Sequence, residues 1–126
     1  MGGTGLNGSV LVIDNDELIC DALSDILSAS GLKVYLAHDG LEGEAVYRDH
    51  QKDIDMIILD WRLPRQTGSD TLRNIRRINP QVQVMVSSGY NEEYVVRQIE
   101  DQGPVSFLSK PYDIDKLLYQ VEKLLA

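Results

Sequence analysis

The chain has one cysteine, Cys20, so no internal disulfide can form, and the count carries no sign of an oxidising compartment. No apolar run approaches the roughly 20 residues that span a bilayer. No N-terminal apolar signal region is present either. Positive charge is scarce: 12 Lys and Arg face 20 Asp and Glu, a net charge of −8. That balance argues against a nucleic-acid binder, which needs a basic face to neutralise phosphates, and against an anionic membrane surface as partner. The first strand–helix turn has no GxGxxG and no P-loop, so no nucleotide cradle is indicated. His38 and His50 lack ligand-like spacing. Cys20 falls in a helical stretch and reads as a small structural residue.

What is present is a composition of 43% apolar and 25% charged residues, ordinary for a folded domain. A chain of 126 residues can bury one core but not two. The default reading is a soluble cytoplasmic domain. Four of the ten glycines fall within Met1–Ser9. That density predicts a flexible linker or expression scar over residues 1–8 and a folded domain over 9–126.

From Val10 onward two textures alternate. Short apolar runs occur at Val10–Ile13, Met56–Leu59 and Val84–Val86, with weaker ones at Val34–Leu36 and Val105–Leu108. They are too short for helices and fit strands buried on both faces. Between them lie amphipathic stretches. Leu18, Ile19, Ala22, Leu23, Ile26 and Leu27 form a stripe closed by Gly31. Asp39-Gly40-Leu41-Glu42 has the form of a capping box opening a second helix through Ala45 and Val46. Leu72, Ile75 and Ile78 mark a third that stops before Pro80. Asn91 is placed to cap a fourth through Tyr94, Val95 and Ile99. Ile114, Leu117, Leu118, Val121, Leu124 and Leu125 mark the fifth. Five βα units predict an α/β domain, a doubly wound five-stranded parallel sheet with helices on both faces.

In such a sheet the site lies beyond the carboxyl ends of the strands. Those ends carry Asp14-Asn15-Asp16-Glu17, Ala37-His38-Asp39, Asp60-Trp61-Arg62, Ser87-Ser88-Gly89 and Ser109-Lys110-Pro111. Each has a plain explanation alone: an Asp caps a helix, a Ser turns a loop, a Lys is a solvated charge. If strands one, three, four and five are neighbours, Asp14, Asp60, Ser88 and Lys110 converge on one pocket. Clustered carboxylates repel unless a cation holds them, and oxygen-only donors suit a hard dication such as Mg²⁺. A hydroxyl and an ammonium facing the same Asp complete a cage for a phosphoryl group. An Asp carboxylate can itself be the nucleophile. The residues alone therefore point to metal-assisted phosphoryl transfer to an aspartate.

Taken together, these motifs resemble the receiver domain of bacterial response regulators. The resemblance spans about Ser9 to Ala126. It rests on the acidic cluster after the first strand, Asp60 followed by Pro64 and Gly68, Ser88-Gly89, and Phe107-Leu108-Ser109-Lys110-Pro111. It implies a flavodoxin-like (βα)5 fold with strand order 2-1-3-4-5. It implies Asp60 as phosphoacceptor and a metal site for Mg²⁺ or Mn²⁺ made by Asp14, Asn15, Asp60 and the main-chain carbonyl of Arg62. Ser88 would be the switch hydroxyl, preferred over Ser87 because the small Gly89 follows it. Phe107 would be the switch aromatic. Lys110 would contact the phosphoryl group and precede a cis bond to Pro111. The implied partner is a histidine kinase or histidine phosphotransfer domain. An output domain or partner would read the face of the fourth helix, fifth strand and fifth helix. The Ser88-Gly89-Tyr90 and Lys110-Pro111-Tyr112-Asp113 segments are most similar to receivers carried by hybrid sensor histidine kinases.

Asn15 departs from the pattern. An amide stands where the family has a second metal-binding Asp, which weakens the site for a dication. Two other readings stay open. One is a pseudo-receiver that works by contact alone, through Tyr94, Val95, Val96 and Tyr119. The other is a haloacid-dehalogenase-like phosphatase with Asp14 as nucleophile and Asp16 as general acid. Against the latter, Leu18 replaces the expected Thr or Val, no substrate-covering cap has room, and Asp60 has no role.

Overall fold

The computed structural model describes residues 6–89 and 92–125. Its strands are β1 (Ser9–Ile13), β2 (Lys33–Ala37), β3 (Met56–Asp60), β4 (Gln83–Ser88) and β5 (Val105–Ser109). Its helices are α1 (Glu17–Ala29), α2 (Gly40–His50), α3 (Gly68–Ile78), α4 (Glu92–Ile99) and α5 (Ile114–Leu125). All strand pairs are parallel, and the sheet order is β2-β1-β3-β4-β5. The βα alternation and the expected strand order are thus both observed.

The continuous apolar runs follow from burial on both faces. In β1, Leu11 and Ile13 point to one core, with Ile57 and Leu59 of β3, Leu72 and Ile75 of α3, and Val95 and Ile99 of α4. Val10 and Val12 point to the other, with Met56, Ile58 and Met85, and with Leu23, Leu27, Leu117 and Val121 from α1 and α5. A one-residue slip in any central strand would exchange the two sets.

Local chemistry sets the helix ends. Asp16, Asp39 and Thr67 cap α1, α2 and α3, each accepting from backbone N–H groups of the first turn. Glu42 reaches back to the His38 N–H, one residue beyond the N-cap, so the capping box is only half formed. At the end of α1, Gly31 takes φ 100°. Its N–H donates to Ser28 and the Leu32 N–H to Leu27, the pairing of a Schellman turn.

Several expectations need correction. Leu18 is 81% exposed and Ala22 is exposed too, while Cys20 is buried. The α1 stripe is wider than the face its neighbours cover, and Leu18 sits on the uncovered edge. Val95, expected on a contact face, is wholly buried; Tyr94, Val96 and Tyr119 are exposed. The helical register turns Val95 inward, toward Ile99. The Leu6 N–H donates to the Ser30 carbonyl at 2.7 Å, and the Leu6 side chain packs on the second core. Residues 1–5 of the expected linker and the expected Asn91 cap lie outside the described residues. Among the described residues, no helix is long and apolar enough to cross a membrane.

Candidate functional site

The strand order places β1, β3, β4 and β5 side by side, and all their carboxyl ends point one way. There a cavity of about 420 Å³ opens, lined by Asp14, Asn15, Asp16, Asp60, Arg62, Ser88, Gly89 and Lys110. Asp14, Asp60 and Ser88 are buried, and Lys110 is half-buried. Lys110 Nζ lies 3.0 Å from Asp14 Oδ2 and 3.4 Å from Asp60 Oδ2. One ammonium therefore bridges two buried carboxylates.

Backbone contacts fix each group. Asp14 Oδ1 accepts from the Asp16 N–H at 2.9 Å, and Asp60 Oδ1 from the Arg62 N–H at 3.2 Å. The Trp61 N–H donates to the Ser87 carbonyl and the Lys110 N–H to the Ser88 carbonyl, both at 2.9 Å. The Cys20 thiol donates to the Asp14 carbonyl at 3.2 Å. Burial, then the charge of Asp14, pushes that thiol up to about 11, so it stays protonated and structural. The Lys110–Pro111 bond is cis.

The charges do not balance in isolation. Burial, then the charge of Asp14, raises the Asp60 pKa against the opposing pull of Lys110. Burial alone would lower Lys110, but its bond to Asp14 and the charges of both carboxylates outweigh that and raise it. The pocket thus has a net negative charge on buried oxygens, an arrangement relieved by a further cation.

The donor set fits a hard dication. It offers two buried carboxylates, an amide at Asn15 and the peptide of Arg62, and Mg²⁺ commonly takes only one or two carboxylates besides water and phosphate oxygens. Asn15 is exposed at the rim. Among the described residues, no group of three or more His, Cys, Asp or Glu side chains could hold a metal ion. Asp16 adds little, because its Oδ1 is taken by the Leu18 and Ile19 N–H groups.

Phe107 is not brought to the cavity. It is half-buried, packs against the first core, and lines grooves beside α5. Ser88 lines the cavity whereas Ser87 does not; the Ser87 hydroxyl is hydrogen-bonded to the Tyr112 hydroxyl instead.

Gly68, part of the sequence motif, has a packing role at the site, and two supporting residues, Arg65 and Gln66, escaped the sequence reading. A Cβ on Gly68 would lie 2.7 Å from the Trp61 carbonyl oxygen and 2.9 Å from that of Asp60. Glycine is therefore required where α3 starts against the end of β3. Arg65 adopts φ 67° and is tied to Asp39 at 3.0 Å. Gln66 Nε2 lies within hydrogen-bonding distance of the Gly40 carbonyl, Glu44 and Thr71. These contacts strap the loop that carries Arg62 onto α2. For Arg65 and Gln66 the sequence signal was a run of polar residues after Pro64, which also describes an unattached loop.

A family model, the response regulator receiver domain, matches residues 10–122. The chain is 30% identical over 123 residues to the transcriptional regulatory protein ZraR of Klebsiella oxytoca, covering 98% of this chain and 27% of that protein. It is 23% identical over 120 residues to sporulation initiation phosphotransferase F of Bacillus subtilis (strain 168), covering 95% of each. A crystal structure of the CheX-CheY-BeF3-Mg complex from Borrelia burgdorferi matches with TM-score 0.88 and 28% identity, covering 94% of this chain and 90% of that one. The chain spans about a quarter of the length of the ZraR relatives.

Proposed function

The chain belongs to the response regulator receiver domain family, and from that premise we propose that it accepts a phosphoryl group on Asp60 from a histidine kinase or a histidine phosphotransfer domain. The observation that carries the proposal is the convergence of Asp14, Asp60, Ser88 and Lys110 on one cavity. In the transfer, an Asp60 carboxylate oxygen bonds to phosphorus as the P–N bond to the donor imidazole breaks. The imidazole leaves with that electron pair. Asp60 must be ionised to attack, and the nearby Lys110 ammonium favours that form.

Asp14, Asn15, Asp60 and the Arg62 carbonyl would hold Mg²⁺ or Mn²⁺, which supplies positive charge to the carboxylates and the phosphoryl oxygens when bound. Lys110 is placed to turn from Asp60 to a phosphoryl oxygen, and Ser88 to donate its hydroxyl to another. The Borrelia burgdorferi relative is crystallised with beryllofluoride and magnesium, which supports the same use of this cavity. Phosphorylation would then be read at the face of α4, β5 and α5, where Phe107, Tyr94 and Tyr119 lie. Asp60 is consumed and regenerated as an acceptor, so the domain serves a cytoplasmic signalling chain rather than a metabolic reaction.

The phosphodonor needs a seat beside the cavity. An apolar groove between α1 and α5 shares Lys110 with it, exposes Leu18 and Ile114, and is lined also by the half-buried Ile26. A histidine-bearing domain seated there would present its imidazole at the cavity mouth. The phosphatase reading finds no support, because the Asp16 carboxylate is committed to capping α1. One observation favours a second reading: with Asn15, only two carboxylates face the cavity bottom. That reading is a pseudo-receiver acting by contact alone.

Mass spectrometry after exposure to acetyl phosphate and Mg²⁺ tests the proposal. Phosphate is expected on Asp60 and absent in Asp60→Asn. Label on Asp14 would revive the phosphatase, and absence of label would favour the pseudo-receiver.

A further inference from the structure

We infer that Tyr112 is a positioning residue that couples the groove between α1 and α5 to the phosphoryl cavity through its hydrogen bond to Ser87. The consequence for phosphorylation rests on Asp60 being the acceptor; the coupling itself belongs to the unmodified domain.

Ser87 is wholly buried. It follows Met85 on the face of β4 that packs against α1 and α5, where Met85 joins an apolar core. A hydroxyl there is costly without a partner. Tyr112 provides one: its ring packs on the same core, and its hydroxyl bonds Ser87 Oγ. Burial pushes the phenol up to about 12, so the link stays neutral at physiological pH.

Both ends of this link adjoin residues that line the cavity. The Ser87 carbonyl accepts from Trp61, the residue after Asp60, and Ser87 is in register with Asp60 itself. Ser88 follows directly, and its carbonyl accepts from the Lys110 N–H. Tyr112 stands two residues beyond Lys110, whose ammonium bridges Asp14 and Asp60. Lys110, Pro111 and Tyr112 also line the apolar groove with Leu18, Ala22 and Ile114. Whatever fills the groove bears on Tyr112. Tyr112 in turn is tied to the end of β4, where Ser88 and the acceptor strand meet. A docked partner therefore adjusts the cavity that holds the acceptor, and without the hydroxyl pair the Lys110 loop loses its side-chain tie to β4.

The coupling can be read without phosphate or metal. Ala22→Trp crowds the groove and leaves the cavity residues untouched. In NMR spectra of the unphosphorylated protein, the Trp61 and Ser88 amide signals should move in Ala22→Trp. They should stay in place when the same change is made in a Ser87→Ala, Tyr112→Phe background. Equal movement in both backgrounds, or none in either, overturns the inference. The consequence is read as the rate of Asp60 labelling by acetyl phosphate with Mg²⁺. Ser87→Ala and Tyr112→Phe should each slow it roughly three- to tenfold, the range one neutral hydrogen bond supports. The double variant should be no slower than the worse single one. Full rates in all three, with thermal unfolding showing them folded, overturn the positioning role. A wild-type protein that takes no label at Asp60 sinks the proposed function instead, while the amide shifts still decide the link.

Discussion

Gly68 sits so close to Trp61 that a Cβ on it would come 2.8 Å from the Trp61 α-carbon. Its own N–H donates to the Trp61 carbonyl at 3.3 Å. The start of α3 is thereby pressed against the end of β3, and Asp60 is held in the angle between them. Gly68→Ala has to push backbone from backbone, with no flexible side chain to yield. We expect a loss of about 1–3 kcal/mol, the usual range for overpacking. Chemical denaturation would measure it, and a shift under about 0.5 kcal/mol, ordinary for a surface substitution, would show that the loop gives way freely.

The buried acceptor should make the metal-free domain less stable than it could be. Burial and Asp14 raise the folded pKa of Asp60, so ionising it opposes folding. The favourable contribution of the neutral acid is full below the unfolded carboxylate range and lost as pH rises through the folded value. Asp60→Asn should therefore be more stable than wild type at pH 7, on the order of 1 kcal/mol or roughly 4 °C. The advantage should shrink on acidification and vanish below the ordinary range of an Asp. A variant less stable at pH 7 in chelator would mean that Lys110 fully satisfies both carboxylates.

Gln66 lies in the same loop and ties it to α2. Burial raises Glu44, but hydrogen bonds from Gln66, Asn74 and Arg48 and the charge of Arg48 prevail, so its pKa is lowered. A lowered carboxylate contributes stability above its unfolded pKa and loses it as pH falls through the folded value. Gln66→Ala removes one of those donors and uncovers the Gly40 carbonyl. It should cost about 1–2 kcal/mol near pH 7, and less at a pH low enough to protonate Glu44. Thermal melts at both pH values decide it, since an equal cost would assign the loss to packing.

Much of this was legible because burial on both faces leaves unbroken runs. Val10–Ile13 and Met56–Leu59 declare their strands, and Asp14 and Asp60 directly follow or end them. The convergence of Asp14, Asp60, Ser88 and Lys110 then follows from topology alone. What stayed hidden depends on contacts between distant elements. Nothing marks Leu18 as uncovered, because its exposure is decided by how far α5 lies from α1. Tyr47 is wholly buried in α2, a helix whose apolar stripe is thin, and it bonds Asn79 through its hydroxyl. Arg65 carries φ 67° without being glycine or Asn. Ser87 looked like a rival to Ser88 because sequence order does not say which face of β4 each serine joins.

Asn15 offers the sharpest test of the metal site. It is exposed at the rim of a cavity whose floor holds two carboxylates sharing one ammonium. Asn15→Asp adds negative charge there at almost unchanged volume. Without metal, that charge adds to the repulsion already felt by Asp60, so the variant should melt below wild type in chelator. With Mg²⁺ the same charge attracts, and affinity should rise roughly three- to tenfold, since partial solvent exposure screens the added attraction. The two effects have opposite signs, so the melting curves should converge or cross as Mg²⁺ is added. Trp61 provides the titration signal: it is the single tryptophan, and the peptide linking it to Arg62 donates to Asp60 Oδ1. Its ring packs in the first core, away from the cavity, so a change in emission would travel through that backbone. A saturable Mg²⁺-dependent change should appear in wild type, shift to lower Mg²⁺ in Asn15→Asp, and weaken in Asp60→Ala. Equal Mg²⁺ midpoints in wild type and Asn15→Asp would mean that the side chain at position 15 does not reach the ion.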